Sequence, residues 1–274
     1  MKGFLLTLWL IGIANTANAA IAPAEIIPAQ GGAIRITPMF HGSLQIEYRG
    51  EIIHVDPFSA GDYSGAKKAD FVLITHTHPD HLDAKAISQV TTNATDFIAP
   101  SSVSAALKKI PFVQKGHVQI LKNGELTSMK IETELDENGK KRLLTKMTFQ
   151  AVPMYNLKRG PKPGQKFHPK GQFNGYVLTL GGKRIYIAGD TEATPEMKAL
   201  KNIDVAFLPM NLPYTMTPQE AAVGAKAFKP KVVYPYHYRY PFTKPNNNPQ
   251  QFAKAMAGSG VTVKIRNWYA NPAK

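Results

Sequence analysis

Residues 75–83 read THTHPDHLD, three histidines and two aspartates in nine positions, directly after the apolar run Phe71-Val72-Leu73-Ile74. Imidazole and carboxylate groups are costly to bury unpaired. They are also the ligands that divalent cations take where no thiolate is at hand. The chain contains no cysteine, which removes both a disulfide framework and a thiolate metal site. Any ion held here must use imidazole, carboxylate, amide or water.

The elements on either side can aim these groups at one small volume. A strand ending at Thr75 or His76 puts His76 and His78 in a shared direction at i, i+2 spacing. Pro79 removes a ladder donor and disfavours helix at His78, so His78 belongs in a turn. Asp80 and His81 then open a helix, where a carboxylate is welcome. One ion does not readily take all four side chains, whereas two ions a few ångström apart do.

Strand patterns run over 44–48, 52–55 and 71–75, and helical patterns over 84–90 and 101–109. Turn signals at 122–124 (KNG) and 136–139 (DENG) bracket or adjoin two long antiparallel strands at 126–134 and 142–152. The second half repeats the first in outline. GEIIHVDP (50–57) matches GKRIYIAGD (182–190), and ADFVLITH (69–76) matches IDVAFLPM (203–210). Such symmetry suggests two β-rich halves packed face to face with helices outside.

The 274 residues are 43% hydrophobic, enough for a large core. The N-terminus reads as a secretory signal over residues 1–19: Lys2 gives a charged start, 4–13 an apolar stretch, and Ala17 to Ala20 a small-residue cleavage site. That stretch is too short to span a bilayer comfortably, and no other segment looks transmembrane. A mature protein beginning near Ala20 would be periplasmic or secreted. Loss of Lys2 takes the formal charge from +14 to +13. The excess suggests an anionic substrate, polymer or surface.

The histidine motif, H-x-H-x-D-H after an apolar strand, resembles the metal-binding signature of the metallo-β-lactamase superfamily. IYIAGDT (185–191) resembles the later motif whose aspartate bridges two metals, VVYPYHY (232–238) the last motif with its ligand histidine, and IIHVDP (52–57) the early strand that ends in an aspartate beneath the site. The order fits from about Ile34 to the C-terminus. HGSL (41–44), VPMYN (152–156), FHPKG (167–171) and residues 220–238 look most like the branch that contains ascorbate phosphate lactonase and the phospholipase D acting on N-acyl-phosphatidylethanolamines.

The resemblance implies an α/β fold, a four-layer αββα sandwich over residues 20–274 as one hydrolase domain. It implies two divalent metal ions, zinc first. His76 and His78 would hold one, Asp80, His81 and His237 the other, and Asp190 would bridge them. Asp80 would also orient the attacking water and help move its proton. Asp56 and His41 would orient ligands from behind. The superfamily usually supplies a third histidine to the first metal, and here VPMYN stands in its place. Either Asn156 supplies an amide oxygen or His168 swings in; a site poorer in imidazole would favour manganese or iron. His54 and His117 read as packing histidines.

The segment 156–171 carries Lys158, Arg159, Lys162, Lys166 and Lys170, cations suited to phosphate or carboxylate. Lys158 and Arg159 are therefore candidate substrate contacts, Tyr214 in LPYTMTP (212–218) is a candidate apolar wall, and the expected substrate is a small anionic lactone, ester or phosphodiester. Two alternatives stand beside this reading: a nuclease, which requires a continuous basic track leading to His76 and His78, and a metal- or ligand-binding protein with weak catalysis. Export is checked by N-terminal sequencing of the secreted or periplasmic protein. The expected first residue is Ala20; an intact Met1 would contradict the leader.

Overall fold

The computed structural model describes residues 23–110, 113, 117–135, 141–240, 242 and 247–273; of the side chains of 131–135 and 141–145 nothing is said. The leader 1–19 and the turn 136–139 lie outside the described residues.

Two seven-stranded sheets share one plan. In the first, β1 (Glu25–Ile27), β2 (Ile34–Phe40), β3 (Ser43–Tyr48) and β4 (Glu51–Val55) pair antiparallel. Then β5 (Phe71–Leu73), β6 (Asp96–Ala99) and β7 (Val118–Ile120) follow β4 in parallel. In the second, β8 (Leu126–Leu135), β9 (Lys141–Met154), β10 (Phe173–Leu180) and β11 (Lys183–Ile187) form the antiparallel part. There β12 (Val205–Pro209), β13 (Val232–Tyr236) and β14 (Thr262–Val263) complete the parallel part. The sequence repeat has a structural counterpart: β4 and β11 are fourth in their sheets, β5 and β12 fifth.

Period-2 alternation decides which side chains meet. Ile53, Val55, Phe71, Leu73 and Ile98 face Phe149, Tyr176, Leu178 and Ile187 in one buried cluster between the sheets. The Phe71 and Phe149 rings lie 5.7 Å apart, and the Tyr176 hydroxyl donates to the Ile74 carbonyl at 2.7 Å. The opposite face of the first sheet, with Val72, Ile74, Phe97 and Ala99, buries Ile87 and Val90 of α1 (Ala84–Val90) and Val103 and Leu107 of α2 (Ser101–Leu107). Behind the second sheet lie α3 (Pro195–Lys198), α4 (Pro218–Phe228) and α5 (Pro249–Ala255). Phe228 of α4 meets Tyr186 edge-on at 5.9 Å. The layers are therefore αββα, as expected. Among the described residues no helix is long and apolar enough to cross a membrane.

The expected strand 71–75 leaves its ladder after Leu73. The Thr75 amide and hydroxyl donate to the two Asp56 carboxylate oxygens, at 2.8 and 2.6 Å, instead of to a neighbouring strand. Nor do Asp80 and His81 open a helix. They stand in a turn closed by the His81 and Leu82 amides on the His78 carbonyl. Helix α1 begins later, where Asp83 accepts from the Lys85 and Ala86 amides as its N-cap.

Phe149 is fully buried between the sheets. Phe149→Ala is expected to cost about 3–5 kcal/mol, read as a lower urea midpoint with an unchanged m-value.

Candidate metal centre

The parallel strands deliver the site. The loops after β4, β5, β11 and β13 carry Asp56, His76 to His81, Asp190 and His237, and the β2–β3 turn carries His41. His41, Asp56 and His237 all adopt positive φ, 56°, 45° and 50°. Such backbone costs of order 1–3 kcal/mol per residue and persists only where surroundings enforce it. The enforcement is visible: the His237 amide donates to the His41 carbonyl, and the His41 amide to the Trp268 carbonyl. Gly42 lets this turn come close, since a Cβ there would lie 3.0 Å from His237 Cδ2. Gly189, at φ +63°, places Asp190 where a side chain would overlap Met154 Sδ.

Two clusters of donor atoms share Asp190. One contains His76, His78, His168 and Asp190; another contains His81, His237 and Asp190, with Asp80 and His41 adjoining through His237. Asp190 Oδ2 lies 3.8 Å from His168 Nε2, while Oδ1 lies 3.4 Å from His237 Nε2 and 3.7 Å from His81 Nε2. His168 Nε2 stands 3.3 Å from His78 Nδ1, and Asp80 Oδ2 3.3 Å from His237 Nε2. Ligands of a tetrahedral ion with bonds of about 2.0–2.1 Å are about 3.3 Å apart, so these donors have ligand-to-ligand spacing.

The hydrogen-bond network settles which ring nitrogens present lone pairs. The Thr75 hydroxyl spends its proton on Asp56, so it accepts from His76 Nδ1 at 2.9 Å and frees His76 Nε2. Asp56 Oδ2 accepts from His81 Nδ1 at 2.7 Å and frees His81 Nε2. The Asn156 amide oxygen accepts from His168 Nδ1 at 2.7 Å and frees His168 Nε2. His41 differs. The Tyr269 hydroxyl already accepts from the Tyr238 and Arg239 amides, so it donates to His41 Nδ1 at 2.9 Å. That leaves a proton on His41 Nε2, which faces Asp80 Oδ2 at 3.4 Å.

Among the described residues, His76 Nε2 and Asp190 Oδ1 are buried without a hydrogen-bond partner. Leaving such groups unmatched costs about 1–3 kcal/mol each. Burial lowers the pKa of His168 to about 3 and that of His76 well below the usual range, so both rings stay neutral at pH 7. Burial opposes charge on His81 too, but Asp80, Asp190 and Asp56 together raise it to about 10. Burial favours the neutral acid at Asp80, yet His81, His237 and His41 hold it far below the carboxylate range. The field of these carboxylates calls for positive charge, and the neutral rings offer lone pairs to it. The donor set thus fits divalent cations.

The site residues read from sequence converge, with three corrections. Asn156 does not aim its amide oxygen into the cluster. That oxygen accepts from the His168 amide and ring, while its NH2 group donates to the Tyr214 carbonyl and Glu192. His168 is the ring that joins His76 and His78. Arg159 is not free for a substrate: it pairs with Glu220 at 2.7 Å and Glu192 at 3.4 Å. Lys158 is exposed and does not line the cleft, whereas Tyr214 does. Nearby, Lys166 donates to the Leu157 carbonyl and Lys170 pairs with Glu196. His54 bonds the Lys67 carbonyl and His117 pairs with Asp96, away from the centre.

Two residues of the site escaped the sequence reading. Glu192, 4% exposed, accepts from the Leu157, Lys158 and Arg159 amides and so folds the loop that presents His168. Its signal was its place two residues after Asp190. Tyr269, which sets the His41 tautomer, lies 32 positions beyond His237 and has no local signal.

The family model for the β-lactamase superfamily domain matches residues 35–237. A UPF0173 metal-dependent hydrolase of Anoxybacillus flavithermus is 30% identical over 241 residues, 85% of this chain and 97% of its own. Another from Methanopyrus kandleri is 28% identical, over 85% of this chain and 95% of its own. A crystal structure from Parabacteroides distasonis, described as a metal-dependent hydrolase, superposes with TM-score 0.72 at 41% identity, covering 89% of this chain and 98% of that one. The chain belongs to the metal-dependent hydrolases of the metallo-β-lactamase superfamily.

Asn156→Ala should leave the fold intact yet weaken metal binding about 10–100-fold, because His168 loses the partner that sets its tautomer. Chelator competition on the purified protein measures this.

Proposed function

We propose that the chain hydrolyses a small ester, lactone or phosphodiester with two divalent ions, zinc first, bridged by Asp190. The carrying observation is that the two Asp190 oxygens face different histidine sets, His168 with its neighbours on one side and His81 with His237 on the other. Three imidazoles on the first side favour zinc over harder ions. The names of the relatives support metal-dependent hydrolysis, and residues 1–19 support export.

Bound ions would supply Lewis acidity, making a water nucleophilic near neutral pH and offsetting charge that develops on a substrate oxygen. The chain's own groups do the rest. His76, His78 and His168 would hold one ion, and His81, His237 and Asp80 the other. Asp80, with 22% of its side chain exposed, reaches the floor of the cleft. Its ionised carboxylate can accept a hydrogen bond from the attacking water and take its proton. His41 and Asp56 hold Asp80 and His81 in place. The nuclease alternative gains no support: the cleft beside His78 carries no lysine or arginine among the described residues.

Asp80→Asn is expected to lower kcat by about 10²–10⁴ toward a responsive ester, lactone or phosphodiester, with the fold retained. Full activity in this variant would contradict the role of Asp80. Removal of metal by a chelator should abolish turnover and zinc should restore it.

A further inference from the structure

The cleft over the metal centre encloses about 310 Å³, at the small end of ligand sites. Its floor is His78, Asp80 and Asp190, and its walls are Phe58, Phe167, Tyr214 and Tyr240. These four aromatics come from four separate segments, after β4, β9, β12 and β13, and each is only partly buried. They form an arc completed by Phe242. Phe167 meets Tyr214 edge-on at 4.9 Å, Tyr214 meets Tyr240 at 6.1 Å, Tyr240 meets Phe242 at 5.6 Å, and Phe242 meets Phe58 at 5.8 Å. The first three contacts are edge-to-face, a geometry that aromatic pairs prefer, and the Phe242–Phe58 pair is tilted.

The arc itself carries no formal charge, and the ions would be held at its floor by Asp80 and Asp190. Asp80 and Asp190 are the charged groups of the described lining. Of the neighbouring loop's five cations, Arg159 is engaged by Glu192 and Glu220, Lys166 by the Leu157 carbonyl and Lys170 by Glu196, and none of the five lines the cleft. An anionic group seated against the arc would lose its water and meet no cationic side chain of the described lining. A neutral ring would displace water from aromatic surface, worth roughly 25 cal/mol per Å² of apolar area.

We propose that the substrate is a small neutral ester or lactone whose group remote from the cleaved bond is aromatic or similarly flat and apolar, seated against Phe58, Phe167, Tyr214 and Tyr240. This rests on the hydrolase reading above and replaces the anionic substrate expected from net charge. Size sets the scale: one ring with a short acyl or alkoxy chain fills the space beside the ions.

The test compares the zinc-loaded protein on phenyl acetate and on 4-carboxyphenyl acetate, which differ in one remote charge. The expected kcat/KM ratio is about tenfold or more in favour of the neutral ester, the equivalent of about 1.4 kcal/mol. Tyr240 is 43% exposed at the rim, so its replacement does not threaten the fold. Tyr240→Ala should raise KM for phenyl acetate severalfold, and Tyr240→Lys should shrink the preference by improving the carboxylated ester. Equal or better use of the carboxylated ester by the unaltered protein overturns the inference. A calorimetric titration with benzamide and 4-carboxybenzamide separates this from failure of the hydrolase reading. If neither ester is cleaved but benzamide binds at least about tenfold tighter, cleavage of simple esters is refuted and the neutral aromatic site stands; equal binding refutes the site.

Discussion

A buried carboxylate between two sets of imidazoles is the constraint on which the rest of the structure turns. Asp190 presents one oxygen to His168 and the other to His81 and His237, and that second oxygen has no hydrogen-bond partner. Desolvating a carboxylate costs several kcal/mol unless positive charge meets it. Protonating the surrounding rings is resisted by burial at His76 and His168. His81, raised to about 10, meets part of that demand, and the cations proposed on either side of Asp190 would meet the rest. Positive φ at His41, Asp56 and His237 marks the same place in the fold, since each belongs to the centre or to the groups that hold it.

The duplicated sheet plan explains how four loops reach one point. In each half an antiparallel meander hands over to parallel strands, and the loop after the fourth strand carries an aspartate, Asp56 in one half and Asp190 in the other. The two carry different loads. Asp190 faces the ligand atoms, whereas Asp56 stands behind them, joining Thr75 to His81 and, through Thr75, to His76. One repeated device thus supplies both a candidate ligand and the group that sets the tautomers of two others.

Much of this was legible in the chain itself. The H-x-H-x-D-H run, the AGD turn and the YHY strand end are short motifs with strong local signals, and they converge in space. The layer order followed from alternating strands and the internal repeat. What sequence did not disclose depends on long-range pairing. The choice between Asn156 and His168 turned on an amide whose orientation is set by Glu192 and the Tyr214 carbonyl, 36 and 58 positions away. The basic loop looked like an anion trap because its partners, Glu192, Glu196 and Glu220, are distant in sequence. To the site it contributes Phe167 and His168, while none of its cations lines the cleft. Helix α1 covers the 84–90 pattern, but its cap is Asp83, and Asp80 and His81 stand in the turn before it.

Anomalous X-ray scattering at the zinc edge from crystals of the purified protein tests the central claim most directly. Two peaks are expected to flank Asp190, one bounded by His76, His78 and His168 and the other by His81 and His237. No anomalous density beside Asp190 at any transition-metal edge would contradict it.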